Sequence, residues 1–298
     1  MSNNPKKILF IINPISGVES KQHIPRLAAR HLDSESFHYE ITYTQYRNHA
    51  FEIAQHAALH RGFDAVIAVG GDGSINEVGS ALVGTEVALG IIALGSGNGL
   101  ARKMGLYTSN VVEAMKVINK FHIDHIDVGK LNDKYFFSTA GVGVEADVVT
   151  DYAKVRQRGM KNYVRLSYDH AFRHESQRYR ITLDTGEIIE DTFFMLTVGN
   201  SGQYGYGVGL TPDSQLDDGL LELTMVPDFK QRLKAAWLAA MVIAQKGNWS
   251  GMMTTRRLSH CTIEAPSAVA TQIDGDPTEP MQHLSFSVLP QALKIIVS

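Results

Sequence analysis

The chain has 298 residues, which suits two domains of ordinary size, and its 28 Lys and Arg against 31 Asp and Glu give a formal net charge of −3. Hydrophobic residues make up 44% and charged residues 20%, a globular composition with material for a sizeable core. One cysteine, Cys261, excludes a disulfide framework, and a net acidic chain without a long basic run is no dedicated nucleic-acid binder. The longest uncharged stretch of helical pattern, Ala235 to Gln245, falls well short of the ~20 residues that span a bilayer. The N-terminus carries a basic pair and a short apolar run with no small-residue cleavage site, so it reads as a buried first strand. A soluble, cytoplasmic protein is expected.

The first hundred residues repeat one pattern. Apolar runs Ile8 to Ile12, Ala65 to Val69 and Leu89 to Leu94 each end in a glycine-rich turn, as strands buried on both faces do. Between them, His49 to His60 has a helical apolar stripe with Gly62 as a stop signal. Ser74 and Glu77 have capping-box spacing at the head of a helix running to about Val83. Alternating strands and helices predict an α/β domain over residues 1–125, with ligands at the carboxyl ends of its strands.

After about Phe121 the texture changes. Segments Ile126 to Lys130, Tyr135 to Thr139, Tyr179 to Leu183, Thr192 to Val198, Leu220 to Val226, Thr262 to Ala265 and Leu284 to Val288 are short and rich in β-branched and aromatic residues. They predict a β-sandwich over residues 126–289, with helical stretches near 151–176 and 229–246. A last strand, Ala292 to Val297, is expected to return with residues 290–298 to the first domain.

Three loops carry the chemistry. Gly71-Asp72-Gly73-Ser74 follows a strand and opens a helix, where small residues let backbone amides approach a phosphate. A carboxylate there repels phosphate unless a cation intervenes, so Asp72 implies Mg2+ or water held around it. Taken alone, the motif reads as a tight turn with Asp72 capping. Asn13-Pro14-Ile15-Ser16-Gly17 and Gly95-Ser96-Gly97-Asn98 each repeat the combination of glycine with hydroxyl or amide donors. Together the three favour a nucleotide-phosphate site, although neither a Walker lysine nor a GxGxxG between strand and helix is present.

NPISG, GGDGSINE and LGSGNGLAR, in this order, resemble the catalytic region shared by diacylglycerol kinases, sphingosine kinases and their soluble bacterial lipid-kinase relatives. The resemblance continues through Ile126 to Gly129, Asn200 to Gly209, Pro212 to Gly219 and Ile273 to Asp276, and so covers essentially the whole chain. It implies an N-terminal domain similar to those of phosphofructokinases and NAD kinases, a C-terminal β-sandwich, and an active site in the cleft between. By the same resemblance Asn13, Pro14, Ser16, Gly17, Thr44, Gly71, Asp72, Gly73, Ser74, Asn76 and Ser96 would hold ATP. Asp274 would be the general base for the lipid hydroxyl, and Asp72 and Asp276 would position the catalytic Mg2+, largely through water. Asp218, with the carbonyls of Gln215 and Leu220, would match a second, structural Mg2+ site.

Two positions depart from the family pattern. Gly99 stands where many relatives have Asp, which tilts the loop towards the sphingosine-kinase version, and Asp276 stands where Glu is usual. The reading is therefore an ATP- and Mg2+-dependent lipid kinase, its partner a membrane lipid, with no nucleic acid and with an oligomer compatible. A kinase of a soluble acceptor of the NAD-kinase type, or a catalytically silent nucleotide or lipid sensor, are the alternatives.

Other features read as structural. His122, His125 and Asp127 lack the partners of a metal set, with Ile123 and Ile126 as core anchors; Trp237 and Met241 suit a core stripe; Ser201 has no adjacent His and Asp. Residues 151–180 and 228–257 each balance to +5 within the acidic chain. Such charges are commonly solvated helix faces, and the sharper expectation is a basic face for an anionic membrane surface.

Overall fold

A computed structural model describes residues 4–16, 21–60, 62–95, 97–107, 110–155, 159–202, 214–229 and 252–298. The chain divides into two units, Met1–Val128 with Gln291–Ser298, and Gly129–Pro290.

In the first unit the apolar runs become parallel strands. β1 (Lys6–Ile12) lies between β2 (Phe37–Tyr43) and β3 (Ala65–Gly70), and β3 pairs in turn with β4 (Ala88–Ala93). Ile8, Phe10, Ile12 and Ile67 pack with α1 (Ile24–His31) and α5 (Val111–Lys120) through Ile24, Met115 and Ile118. The alternate residues Leu9, Ile11, Val66 and Ala68 are equally buried. Burial on both faces is why these strands are continuously apolar rather than alternating.

α2 (His49–His60) spans the residues that its stripe predicts, and Gly62 follows with φ +60°. α3 (Asp72–Leu82) differs from expectation at its start. Gly71 is the N-cap, so Ser74 sits inside the first turn and no capping box forms. The Glu77 carboxylate instead accepts the N–H groups of Asn48 (2.9 Å) and Ala50 (3.1 Å), and so caps α2. A short α4 (Gly99–Lys103) follows β4, and β5 (His122–Leu131) leads into the second unit. Within β5, Ile126 is buried as expected, whereas Ile123 is 37% exposed because it lies on the open first half of the strand.

The second unit is antiparallel. β11 (Thr254–Leu258), β10 (Leu221–Pro227), β9 (Ile188–Gly199), β7 (Thr139–Gly143), β12 (His260–Ile273) and β13 (Asp276–Val297) pair in that order. β7 joins the C-terminal halves of β9 and β12, while β8 (Gln177–Leu183) joins their N-terminal halves. This double bridging closes a sandwich-like barrel around Phe136, Tyr179, Leu196, Cys261 and Phe286. α6 (Val144–Ala153) and α7 (Met160–Arg173) are inserted after β7, and the expected helix near 229–246 lies almost wholly outside the described residues.

Two expected strands are redrawn. Tyr135 to Thr139 is broken into β6 (Lys134–Phe136) and β7, because the amides of residues 137–139 turn towards a carboxylate instead of a neighbouring strand. The final two segments form one strand, β13, which bends at Gln291 (φ +50°). The Gln291 N–H is held by the fully buried Asp127 carboxylate at 2.8 Å, and Ile295 then pairs with Leu89 of β4.

Candidate active site

The first unit brings its glycine-rich loops together. Asn13 donates from its side-chain amide to Ser74 Oγ (3.1 Å), accepts the Ile15 N–H, and receives at its carbonyl the Ser16 hydroxyl. A Cβ on Gly95 would lie 2.5 Å from Gly71 Cα, so only glycine lets these two loops touch. Thr44, at the end of β2, donates its N–H to Ile12 and so stands beside the first loop. Gly73 and Asn76 lie in the opening turns of α3, where helix amides and the dipole favour an anion. Pro14 sits in the first loop, whereas Gly17 and Ser96 lie outside the described residues.

Asp72 is the clasp between two of these loops. Its carboxylate accepts the N–H of Asn98 at 2.6 Å and of Gly99 at 2.7 Å, one on each oxygen. It therefore caps α4, whose N-cap residue Asn98 has φ +56°. The capping role read for the motif alone is real, but it serves a different helix. Asn98 Nδ2 donates to Gly95 O at 2.6 Å, and its Oδ1 is buried with no hydrogen-bond partner among the described residues. A buried oxygen acceptor of this kind, on a residue whose N–H binds a carboxylate, is chemically compatible with a hard cation such as Mg2+.

In the second unit, Asp274 and Gly275 form the two-residue turn between β12 and β13, with φ +49° and +80°. The backbone is thus the plain hairpin that Asp-Gly favours, but the side chain is not at large. Asp274 Oδ1 accepts the N–H groups of Ser138 (2.7 Å), Thr139 (3.1 Å) and Phe137 (3.2 Å), and Oδ2 accepts that of Phe137 at 3.0 Å. Its own N–H donates to Thr139 O at 2.8 Å. Asp276 begins β13 opposite Ile273, half-buried.

The three residues of the second Mg2+ set are arranged differently. Asp218 accepts the Leu220 N–H at 2.9 Å and is ion-paired to Arg257, while Gln215 is exposed. A guanidinium already neutralises that carboxylate and would compete with a cation for Asp218. Among the described residues, no three His, Cys, Asp or Glu side chains group as a metal site.

Sequence reasoning missed Phe137 to Thr139 as the amides that hold Asp274, and missed Gln272 and Glu145 behind them.

The family "Diacylglycerol kinase catalytic domain" matches residues 7–131, and "YegS C-terminal NAD kinase beta sandwich-like domain" matches residues 138–297. The chain belongs to the diacylglycerol kinase and YegS-like lipid kinase family. Among its relatives, the diacylglycerol kinase of Mycobacterium tuberculosis strain H37Rv is 30% identical over 250 residues, covering 80% of this chain and 79% of that one. A protein of Chromohalobacter salexigens described as a probable lipid kinase YegS-like is 30% identical over 246 residues, covering 79% and 76%. Of solved structures, a diacylglycerol kinase from Bacillus anthracis matches with TM-score 0.74 and 22% identity over 98% of this chain and 97% of that one. An NAD kinase from Archaeoglobus fulgidus in complex with ATP shares the fold at TM-score 0.54 and 13% identity, covering 97% and 93%. This lipid kinase family member thus pairs an α/β domain with a β-sandwich of the NAD-kinase kind.

Proposed function

We propose that the chain is an ATP- and Mg2+-dependent kinase that phosphorylates a hydroxyl of a diacylglycerol- or sphingoid-type lipid, acting in the cytoplasm. The observation that carries this reading is the Asp274 carboxylate, turned from a hairpin tip onto three backbone amides. A hairpin needs no such clamp, whereas a general base must be held in a fixed position towards one acceptor proton. The lipid hydroxyl gives its proton to Asp274 as its oxygen bonds to the γ-phosphorus, and the bond to the β-phosphate oxygen breaks to release ADP.

The three convergent loops of the first unit hold the nucleotide phosphates. Mg2+, when bound, neutralises phosphate charge, and Asp72 and Asp276 are the carboxylates that would hold it, Asp72 while clasping α4. Relatives described as diacylglycerol kinases and lipid kinases, at 30% identity, favour a lipid over a dinucleotide acceptor.

Peripheral contact with an anionic membrane belongs to the same proposal. Lys154, Arg178, Arg180 and Arg257 are paired with acids, which removes them from a basic face. Lys161 and Arg165, however, line up with Tyr168 and Phe172 along one exposed stripe of α7. No described helix is long and apolar enough to cross a membrane.

The test is transfer from γ-labelled ATP to diacylglycerol, sphingosine, ceramide, phosphatidylglycerol and NAD, with Asp274→Ala beside wild type. A lipid is expected to be labelled, and loss of the base should slow it by about 10²–10⁴-fold. Labelled NAD with no labelled lipid overturns the substrate class. Equal rates for the two proteins overturn the role of Asp274.

A further inference from the structure

Behind the Asp274 turn lies a layer of polar side chains where packing alone would place apolar ones. Thr139, Thr197, Thr271 and Gln272 are buried to 1% exposure or less, and Glu145, in the first turn of α6, is 5% exposed. Burying a carboxylate is costly unless donors compensate it. Two do so here: the Thr197 hydroxyl donates to Glu145 Oε2 and the Gln272 side-chain amide donates to Oε1.

The strand register explains how one carboxylate reaches both. Thr197 of β9 pairs with Gly141 of β7, and Gly141 pairs with Gln272 of β12. The three stand in a row on one face of the sheet, with the flanking strands about 10 Å apart. Gly141 puts no side chain between its neighbours, and a Cβ there would lie 2.3 Å from Leu196 O.

From Gln272 the hydrogen bonds run to both sides of the Asp274 turn. Its Nε2 also donates to Thr139 Oγ1 (3.3 Å), on the residue whose N–H holds Asp274, and its Oε1 accepts the Gly275 N–H (3.0 Å). Glu145 fixes which way this amide faces. A carboxylate only accepts, so Nε2 must point at Glu145 and Oε1 must point at Gly275.

We infer that Glu145 is a positioning residue for Asp274, acting through Gln272 to hold the turn and the amide cradle in register. The inference rests on Asp274 as the base of the proposed kinase reaction. Glu145→Gln keeps the shape but lets the side chain of residue 145 present either an oxygen or an NH2 group, so the Gly275 N–H alone is left to set which way Gln272 faces. It is expected to lower kcat by about 10-fold, the order seen for outer-shell partners, with KM for ATP and lipid within about 2-fold. Amide exchange at Gly275 and Thr139 should quicken while exchange in the first unit stays unchanged.

Exchanging the groups provides the sharper test. Gln272→Glu alone sets two carboxylates face to face and should be slower still. Combined with Glu145→Gln it restores an obligate acceptor towards Gly275, and kcat should return to within about 3-fold of wild type. Should Glu145→Gln fail to fold, Thr139→Val removes one Gln272 acceptor and is expected to quicken Gly275 exchange in the same way. Wild-type kcat in Glu145→Gln, no rescue by the exchange, or faster exchange spread evenly over the chain each overturns the inference. If wild type labels no acceptor, the kinase reading fails by itself, and unchanged Gly275 exchange in Glu145→Gln still overturns the brace.

Discussion

Replacing Asp72 by Asn separates its structural role from any role towards Mg2+ or phosphate. The carboxylate accepts two backbone N–H groups, from Asn98 at 2.6 Å and Gly99 at 2.7 Å, and both donor residues are buried. An Asn side chain has one acceptor oxygen, so one N–H keeps a neutral bond and the other meets an NH2 donor. Losing a hydrogen bond to a charged group costs about 1.5–3 kcal/mol, and a stranded buried donor costs about 1–3 kcal/mol; the two overlap. A loss of about 3 kcal/mol is expected, or about 6–12 °C in the melting of a unit of this size. The measurement is urea and thermal unfolding in buffer free of Mg2+ and nucleotide, where bound ligand does not contribute. An Asp72→Asn midpoint within about 0.5 kcal/mol of wild type, the ordinary range for surface substitutions, would refute the clasp.

Burial pushes the Cys261 thiol up from its ordinary 9.0 to about 12, with the Asp184 charge adding to the effect. The thiol should resist alkylation at pH 8 until the protein unfolds, as mass spectrometry of iodoacetamide-treated protein would record. Between pH 9 and 12 the folded state keeps a proton that the unfolded chain gives up, so stability falls as pH rises, by about 1 kcal/mol at pH 10. Cys261→Ala should lack this part of the alkaline slope; identical slopes would contradict it. At Asp218, Arg257→Ala should expose a carboxylate that Mg2+ can then reach, adding about 1 kcal/mol of Mg2+-dependent stabilisation at saturating metal that wild type lacks. Equal Mg2+ dependence in the two proteins would mean that the guanidinium does not substitute for a cation.

The elements legible in the sequence are those whose cause is local or periodic. The run Ile8 to Ile12 and the stripe of His49 to His60 are read directly from burial pattern, and the glycine loops from their need for close backbone approach. β2, FHYEITY, mixes polar and apolar residues because it edges its sheet, and it escaped notice. Glu77 illustrates the limit of motif spacing: three residues after Ser74 it looks like a self-cap, yet its partners are 27 and 29 residues away. Asp274 was legible as a turn residue and, through resemblance, as a candidate base. Its amide cradle was not, since Phe137 to Thr139 are 135–137 residues distant and only the fold makes them neighbours. Glu145 and Gln272 are hidden for the same reason, their meeting being set by the register of three strands.

The bend at Gln291 has a consequence for how the protein comes into being. The strand that lines the open side of β4 belongs to the first unit but is translated only after all of Gly129–Pro290. A nascent chain that has completed residues 1–128 therefore carries a bare parallel edge at β4 and lacks the Gln291 N–H that binds the Asp127 carboxylate. Synthesis of the second unit intervenes before either is satisfied. The first unit is thus begun first but completed only once residues 291–297 have followed the whole of the second.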